Sequence, residues 1–359
     1  MSAKALFQPL PLKRGPPLKH RLLLAPLTNW QCNDDGTIPD EEVEWLTRCA
    51  IGGFSMVMTC AANVHPFGKV FPGQMGIYSD KHLAGLRRVA DAIRKHGAIS
   101  SVQLHHAGGR ASTDMAGTVV GPSEIPSLGV LGLSLQEVEQ LREDFIIAAL
   151  RAETAGFDGV EVHSAFGWIF MQFLSPAFNR RTDHYGGSLE NRSRFLFEVI
   201  DGIRTRCRPD FQIGLRISME RYGMELGEVR DVCARALREE QIDYLDLAVW
   251  DYTKRSQEKG FEGRTLLSVF TELPRSNVRL GASGKIMNAQ QALEVLDGGC
   301  DFVMLGKAAI LQSSFPKHVK DDVDYQLPKL PVTEAYLKRQ GLSPKFVQYM
   351  RTWEGFVAS

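Results

Sequence analysis

Imidazole, guanidinium, amide and ammonium side chains stand where apolar runs of this chain give way to polar residues, and together they could handle a redox-active heterocycle. His163 closes the run Gly-Val-Glu-Val (159–162), and its ring could bond a ligand or lie packed in the core. Arg216 lies inside the apolar segment 212–217, where a cation needs an anion or a set of acceptors. A ligand's partial negative charge is favoured there over a structural ion pair. Gln103 offers a donor and an acceptor, and Thr28 a hydroxyl. This set suits a flat heterocycle edged with carbonyls and ring nitrogens. Gly284-Lys285 and Gly306-Lys307 each follow a late strand pattern, and two such corners together favour a bound phosphate.

These groups converge only if their strands run parallel and end on one rim. Apolar runs at 21–24, 56–59, 100–104, 159–162, 212–217, 244–247, 278–281 and 302–305 predict eight strands. Amphipathic stretches at 40–51, 79–96, 189–206, 228–240, 265–273 and 288–296 predict helices between them. Another follows Ser134, with Glu137 three residues on as a capping box, and ends at Gly156. Strict alternation places the chain in the α/β class as a (β/α)8 TIM barrel. An open doubly wound sheet shares the alternation, but the first strand runs into Ala-Pro-Leu-Thr-Asn rather than a GxGxxG turn. The barrel, with an N-terminal cap segment, is expected over residues 1–330. Residues 331–359, rich in aromatics, form a tail expected to pack on the barrel or on a neighbouring subunit. The expected rim carries Thr28, Cys60-Ala61, Gln103 with His105 and His106, His163, Arg216 with Ser218, Trp250 with Tyr252, and the two Gly-Lys corners.

Composition narrows the function class. The chain has 359 residues, 44% of them hydrophobic, with Lys+Arg and Asp+Glu equal at 42 each, so no electrostatic footprint for nucleic acid or an anionic membrane stands out. No apolar run approaches the ~20 residues of a membrane span, and a cytoplasmic location is expected. The six cysteines are widely spaced, without a CxxC or Cys/His cluster, and read as reduced and mostly buried rather than metal-binding. The expected partner is a small-molecule substrate, and a homo-oligomer is compatible with the tail.

In order and spacing, LLLAPLTN, SVQLHHAGGR, GVEVHSAFGWIFMQFLSPAFNRRTDHYGGSLENRSRF, GLRIS, SGKI and FVMLGKA resemble the signature segments of the old yellow enzyme family of FMN-dependent oxidoreductases. The resemblance runs from about Phe7 to Pro316. It implies an FMN lying across the barrel mouth, with NAD(P)H as hydride donor and an activated alkene or related electrophile as acceptor. By matched position, Pro26, Leu27 and Ala61 pack near the flavin ring, Thr28 and Gln103 hold its polar edges, and Arg216 sits by N1 and the C2 carbonyl. Ser283, Gly284, Lys285, Gly306 and Lys307 hold the cofactor's phosphate end, and His163 serves both cofactor and catalysis.

The chain departs from the family where the acceptor is gripped. In the run His163-Ser-Ala-Phe166-Gly-Trp168, Phe166 replaces the second gripping residue and Trp168 the tyrosine that supplies a proton. Losing one charge-assisted donor weakens stabilisation of an enolate by ~1.5–3 kcal/mol. An indole N–H donates a hydrogen bond but gives up no proton at neutral pH. Phe166, Trp168, Tyr252 and Thr28 are expected to form an aromatic substrate pocket, with Tyr252, Tyr185 or solvent as replacement acids. Lys307 stands where arginine is usual, Ala248 where serine is frequent, and the loop after the third strand carries an extra glycine. FMN-dependent oxidation of another small molecule, or a barrel that holds flavin without turnover, remain as alternatives.

Overall fold

Aliphatic runs without polar alternation belong to strands covered on both faces. The computed structural model, which describes residues 3–358, closes eight of them into a barrel. They are β1 (Leu22–Leu24), β2 (Met56–Asn63), β3 (Ile99–His105), β4 (Gly159–Ser164), β5 (Gln212–Ile217), β6 (Tyr244–Ala248), β7 (Arg279–Ser283) and β8 (Phe302–Leu305). All pairs are parallel and sequential neighbours are paired, with β8 closing on β1 through Leu22 and Val303. β2 and β3 run further than their apolar cores suggest. A register shift between Met58 and Ala61 re-aims β2, so that Ala61 lies beside Gln103 and Asn63 beside His105.

Register fixes which side chains share a level. His163 lies beside Arg216, Arg216 beside Asp246, and Ala248 beside Ser283. One level lower, Gln103 lies beside Glu161. Each strand thereby lifts its last polar residues to the carboxyl end, and the loops there build the site.

The helices start where local chemistry satisfies their first amides. Ser134 Oγ accepts from the Glu137 amide while the Glu137 carboxylate takes the Ser134 amide at 2.7 Å, opening helix Leu135–Thr154. Ser188 caps helix Leu189–Arg206 in the same region as the long loop after β4. The helix expected from 79 begins with a 3-10 turn, Asp80–His82, before the α-helical Leu83–Lys95, because the His82 ring reaches back to the Ser79 amide. The segment at 265–273 shortens to Leu266–Thr271.

The amino end of the barrel is plugged by the chain's first residues. Leu10, Leu12 and Leu18 pack with Leu23, Met58, Ile99, Tyr244 and Phe302 in a cluster of their own. Arg14 and Arg204 both pair with the fully buried Asp243, at 3.1 and 2.9 Å, which pins this plug to β6. Residues 331–358 lie against the barrel's flank. Phe346 meets the Trp45 ring edge-on at 5.3 Å, Tyr349 lies 5.1 Å from the Trp30 ring, and the Tyr336 hydroxyl donates to the Leu311 carbonyl at 2.7 Å. No helix among the described residues is long and apolar enough to cross a membrane.

Two glycines inside the barrel make room for its largest side chains. A Cβ on Gly281 would lie 2.1 Å from the Phe302 ring, and one on Gly214 2.1 Å from the Tyr244 ring. Gly281→Ala is expected to destabilise the fold by about 1–3 kcal/mol in urea denaturation. Gly227→Ala, whose new methyl meets nothing closer than 3.8 Å, should be neutral or mildly stabilising. Equal midpoints for the two variants would contradict this packing.

Candidate active site

Two clefts of about 330 and 250 Å³ open at the carboxyl end of the barrel, and both are lined by Pro26, Thr28, Phe166, Arg216 and Trp250. They form one opening with a seam. The larger cleft also carries Leu27, Ser283, Gly284, Lys285, Gly306 and Lys307. The smaller carries Ala61, Gln103, His163 and Trp168. Tyr252 lines neither, since its hydroxyl bonds Glu294 on an outer helix. Tyr185 is buried behind the site with its hydroxyl donating to Glu198 at 2.7 Å. The two tyrosines expected as replacement acids therefore face away, because each finds a carboxylate partner elsewhere.

Arg216 is the hinge of this arrangement. Its Nη2 donates to Ser283 Oγ at 2.9 Å, and its Nη1 lies 3.2 Å from Asp246 Oδ2. An ion pair thus exists where sequence reasoning favoured a ligand alone. The short distance does not make it a directed hydrogen bond, however: Nη1, Nε and both Asp246 oxygens lack a partner of suitable angle. The guanidinium is neutralised in part and left with free donors while lining both clefts.

A second carboxyl completes the buried set. Glu161 accepts from Gln103 Nε2 at 2.8 Å, so one of the amide donors assigned to the ligand is already engaged. Burial, followed by repulsion from Asp246, pushes the Glu161 carboxyl up to about 8 against the pull of Arg216. Burial likewise raises Asp246, opposed by Arg216. Neither acid was singled out from sequence, yet the signal existed: both interrupt apolar strands at inward positions, as Arg216 does.

The smaller cleft has a histidine on each of two strands. His163 and His105 are both buried, with ring centroids 5.7 Å apart. Burial holds His163 well below its ordinary range, with His105 and Arg216 adding to the effect, and holds His105 down to about 3. Burial thus favours the uncharged form of both rings. His106 points elsewhere, accepting the Gly108 amide at 3.0 Å.

Aromatic rings wall the opening. Phe166 adopts a left-handed backbone (φ 56°), uncommon for a bulky residue, and is held by its amide donating to Ser218 Oγ at 2.9 Å and by Arg110 bonding its carbonyl. Its ring lies 5.4 Å from that of Trp250 and 5.5 Å from the Arg216 guanidinium. Trp168 lies beneath the Arg110 guanidinium at 4.5 Å. Tyr222 lines the smaller cleft, and Tyr349 and Trp353 from the tail line the larger. These contributors come from distant segments, and no local pattern marks them.

At the far end of the larger cleft, Gly284 has φ 151°, and a Cβ there would lie 2.3 Å from the Val249 carbonyl oxygen. Only glycine fits this turn. Lys285 is exposed and pairs with Asp251 at 3.0 Å, while Lys307 lies 5.5 Å over the Trp353 ring.

The Glu161 carboxyl titrates higher folded than unfolded, so the folded chain binds an extra proton between about pH 4.5 and 8, and that stabilisation is lost as pH rises through this window. Glu161→Gln keeps an acceptor for Gln103 without the titration. Its stability relative to the parent should therefore rise across that window, by at most ~1.4 kcal/mol per pH unit, in chemical denaturation. A difference that stays flat with pH would contradict the buried, proton-holding state.

Comparison with known proteins identifies the family. The profile of the NADH:flavin oxidoreductase / NADH oxidase family matches residues 5–326. The chain is 33% identical to a probable NADH-dependent flavin oxidoreductase of Bacillus subtilis, over 95% of this chain and 98% of that one. It is 32% identical to an NADPH dehydrogenase of a Geobacillus strain, over 87% and 92%. Among solved structures, morphinone reductase in complex with tetrahydroNAD superposes with a TM-score of 0.77 at 25% identity, over 93% of this chain and 94% of that one. Barrel, rim and sequence together place the chain in the NADH:flavin oxidoreductase family, the old yellow enzymes, as an NAD(P)H-dependent oxidoreductase that uses FMN.

Proposed function

We propose that this chain holds FMN along the seam of the two clefts and passes reducing equivalents from NAD(P)H to an activated alkene or related electrophile, taken into an aromatic-walled pocket. One observation carries the cofactor's placement. Arg216, buried at the seam, keeps two nitrogens without directed hydrogen bonds, although nearly every buried donor in a folded protein finds a partner. An electron-rich ring edge answers that need. Bound FMN supplies two-electron hydride chemistry between a nicotinamide and a second substrate.

The chain's own residues prepare the site for that chemistry. Arg216, oriented by Ser283, stabilises negative charge on the reduced ring edge in a region of low dielectric. Pro26, Leu27 and Ala61 pack the ring, and Thr28 with the uncommitted half of the Gln103 amide satisfies its polar edge. Gly284 and Gly306 let backbone approach the phosphate, and Lys285 and Lys307 supply its countercharge. The exposed Lys285–Asp251 pair is weak enough to open for it.

On the acceptor side, Phe166 and Trp168 favour a flat, apolar molecule, and His163 offers a hydrogen bond to its polar end. Trp168 donates a hydrogen bond but no proton. Tyr222 and solvent are the proton sources that the smaller cleft offers.

The purified protein is expected to be yellow, to bleach anaerobically with NADH or NADPH, and to recover its colour with an electron-poor cyclic enone. Bleaching by another small molecule but not by a nicotinamide would point to an oxidase or dehydrogenase instead. Arg216→Met combined with Asp246→Asn, which leaves no unpaired buried charge, should weaken FMN binding about 10–100-fold. Unchanged affinity would place the ring edge elsewhere.

A further inference from the structure

We infer that His105 is a second grip on the acceptor's oxygen, so that a clamp of two imidazoles from adjacent strands replaces the donor lost at Phe166. This deepens the acceptor reading above and rests on it. His105 ends β3, is 1% exposed, lines the smaller cleft, and has neither ring nitrogen hydrogen-bonded. His163 is the penultimate residue of the neighbouring strand and leaves Nδ1 unpartnered. A histidine buried to this degree normally satisfies at least one nitrogen, and the equally buried His82 and His106 each do.

The spacing fits one shared oxygen. An oxygen accepting from two N–H donors at about 2.9 Å each holds those donors about 5 Å apart. Ring centroids 5.7 Å apart with planes tilted 41° allow nitrogens at that separation. The rings are also fixed against wandering. Trp168 meets His105 edge-on at 4.9 Å, and Phe166 meets His163 edge-on at 5.7 Å.

The two aromatic replacements thus hold a relocated donor pair in place. A neutral imidazole always carries one N–H, so each ring can donate to an oxygen gaining negative charge without bringing a competing full charge into the cleft. Arg110, whose guanidinium stacks on Trp168, and Arg216, beside His163 in register, are the cations that favour an anionic oxygen there. The ligand class is a carbonyl compound whose oxygen becomes enolate-like, or a stable mimic such as a phenolate.

The test uses 4-nitrophenol, whose colour distinguishes phenol from phenolate, added to the oxidised FMN-loaded protein. The parent is expected to bind it as phenolate. His105→Phe and His163→Phe should each weaken binding about tenfold or more, and the double variant should lose less than the product of the two, because the donors share one oxygen. FMN content and thermal midpoint check that each variant is folded.

Binding by His105→Phe within twofold of the parent overturns the inference, as does a yellow parent that leaves 4-nitrophenol unbound. A variant that fails to fold is bypassed by histidine-labelled parent protein, where nitrogen-15 spectra should show two imidazole N–H signals moving on ligand addition. A single moving signal overturns the inference. A parent that takes up no FMN overturns instead the function proposed above.

Discussion

A guanidinium buried at the mouth of a barrel is the constraint around which the site is built. Removing a charge from water is costly unless other groups answer it, and Asp246, one strand away in register, answers Arg216 only in part. The distance gives Coulombic attraction, while the poor angle leaves donors free. Ser283 fixes the orientation of the group. Glu161, one level lower, keeps its proton into the neutral range, so a second full negative charge does not build up beside Asp246. The result is a cation attenuated but not cancelled, which suits a ring that alternates between neutral and electron-rich states.

The smaller cleft follows a different rule. Burial favours the uncharged form of His105 and His163, and aromatic rings fix their positions. A pocket built this way offers fixed N–H dipoles to developing charge, with Arg110 and Arg216 as the cations beside them. Phe166 occupies an uncommon backbone conformation to reach its place, held by Ser218 and Arg110. Its ring then touches both halves of the site, next to Arg216 on one side and His163 on the other.

The barrel was legible in the sequence because each strand's apolar run is bounded by helix caps and turn residues, and parallel pairing of neighbours follows from the alternation. The rim followed from where those runs end, which is why His163, Arg216, Gln103 and the two Gly-Lys corners fall around one opening. Strand ends were less legible. β2 and β3 continue to Asn63 and His105 because the register shift at Met58 to Ala61 lets polar residues join the ladder. Asp246 and Glu161 escaped notice as single acids inside apolar words, although a charge at an inward strand position demands a partner. Tyr349 and Trp353 could not be placed, since nothing local ties a tail to a cleft whose other walls come from segments between Ala25 and Ile310. Tyr185 and Tyr252 looked available as acids until Glu198 and Glu294 proved to hold them.

With FMN placed as proposed, Arg216 and Asp246 together set the charge felt by the flavin's electron-rich edge. The midpoint potential of bound FMN in Asp246→Asn, measured against the parent at one pH, tests it most directly. Removing the opposing carboxylate leaves Arg216 less neutralised and should raise the potential, favouring the reduced ring. A potential that stays the same or falls, with FMN bound and the fold intact, would contradict the account.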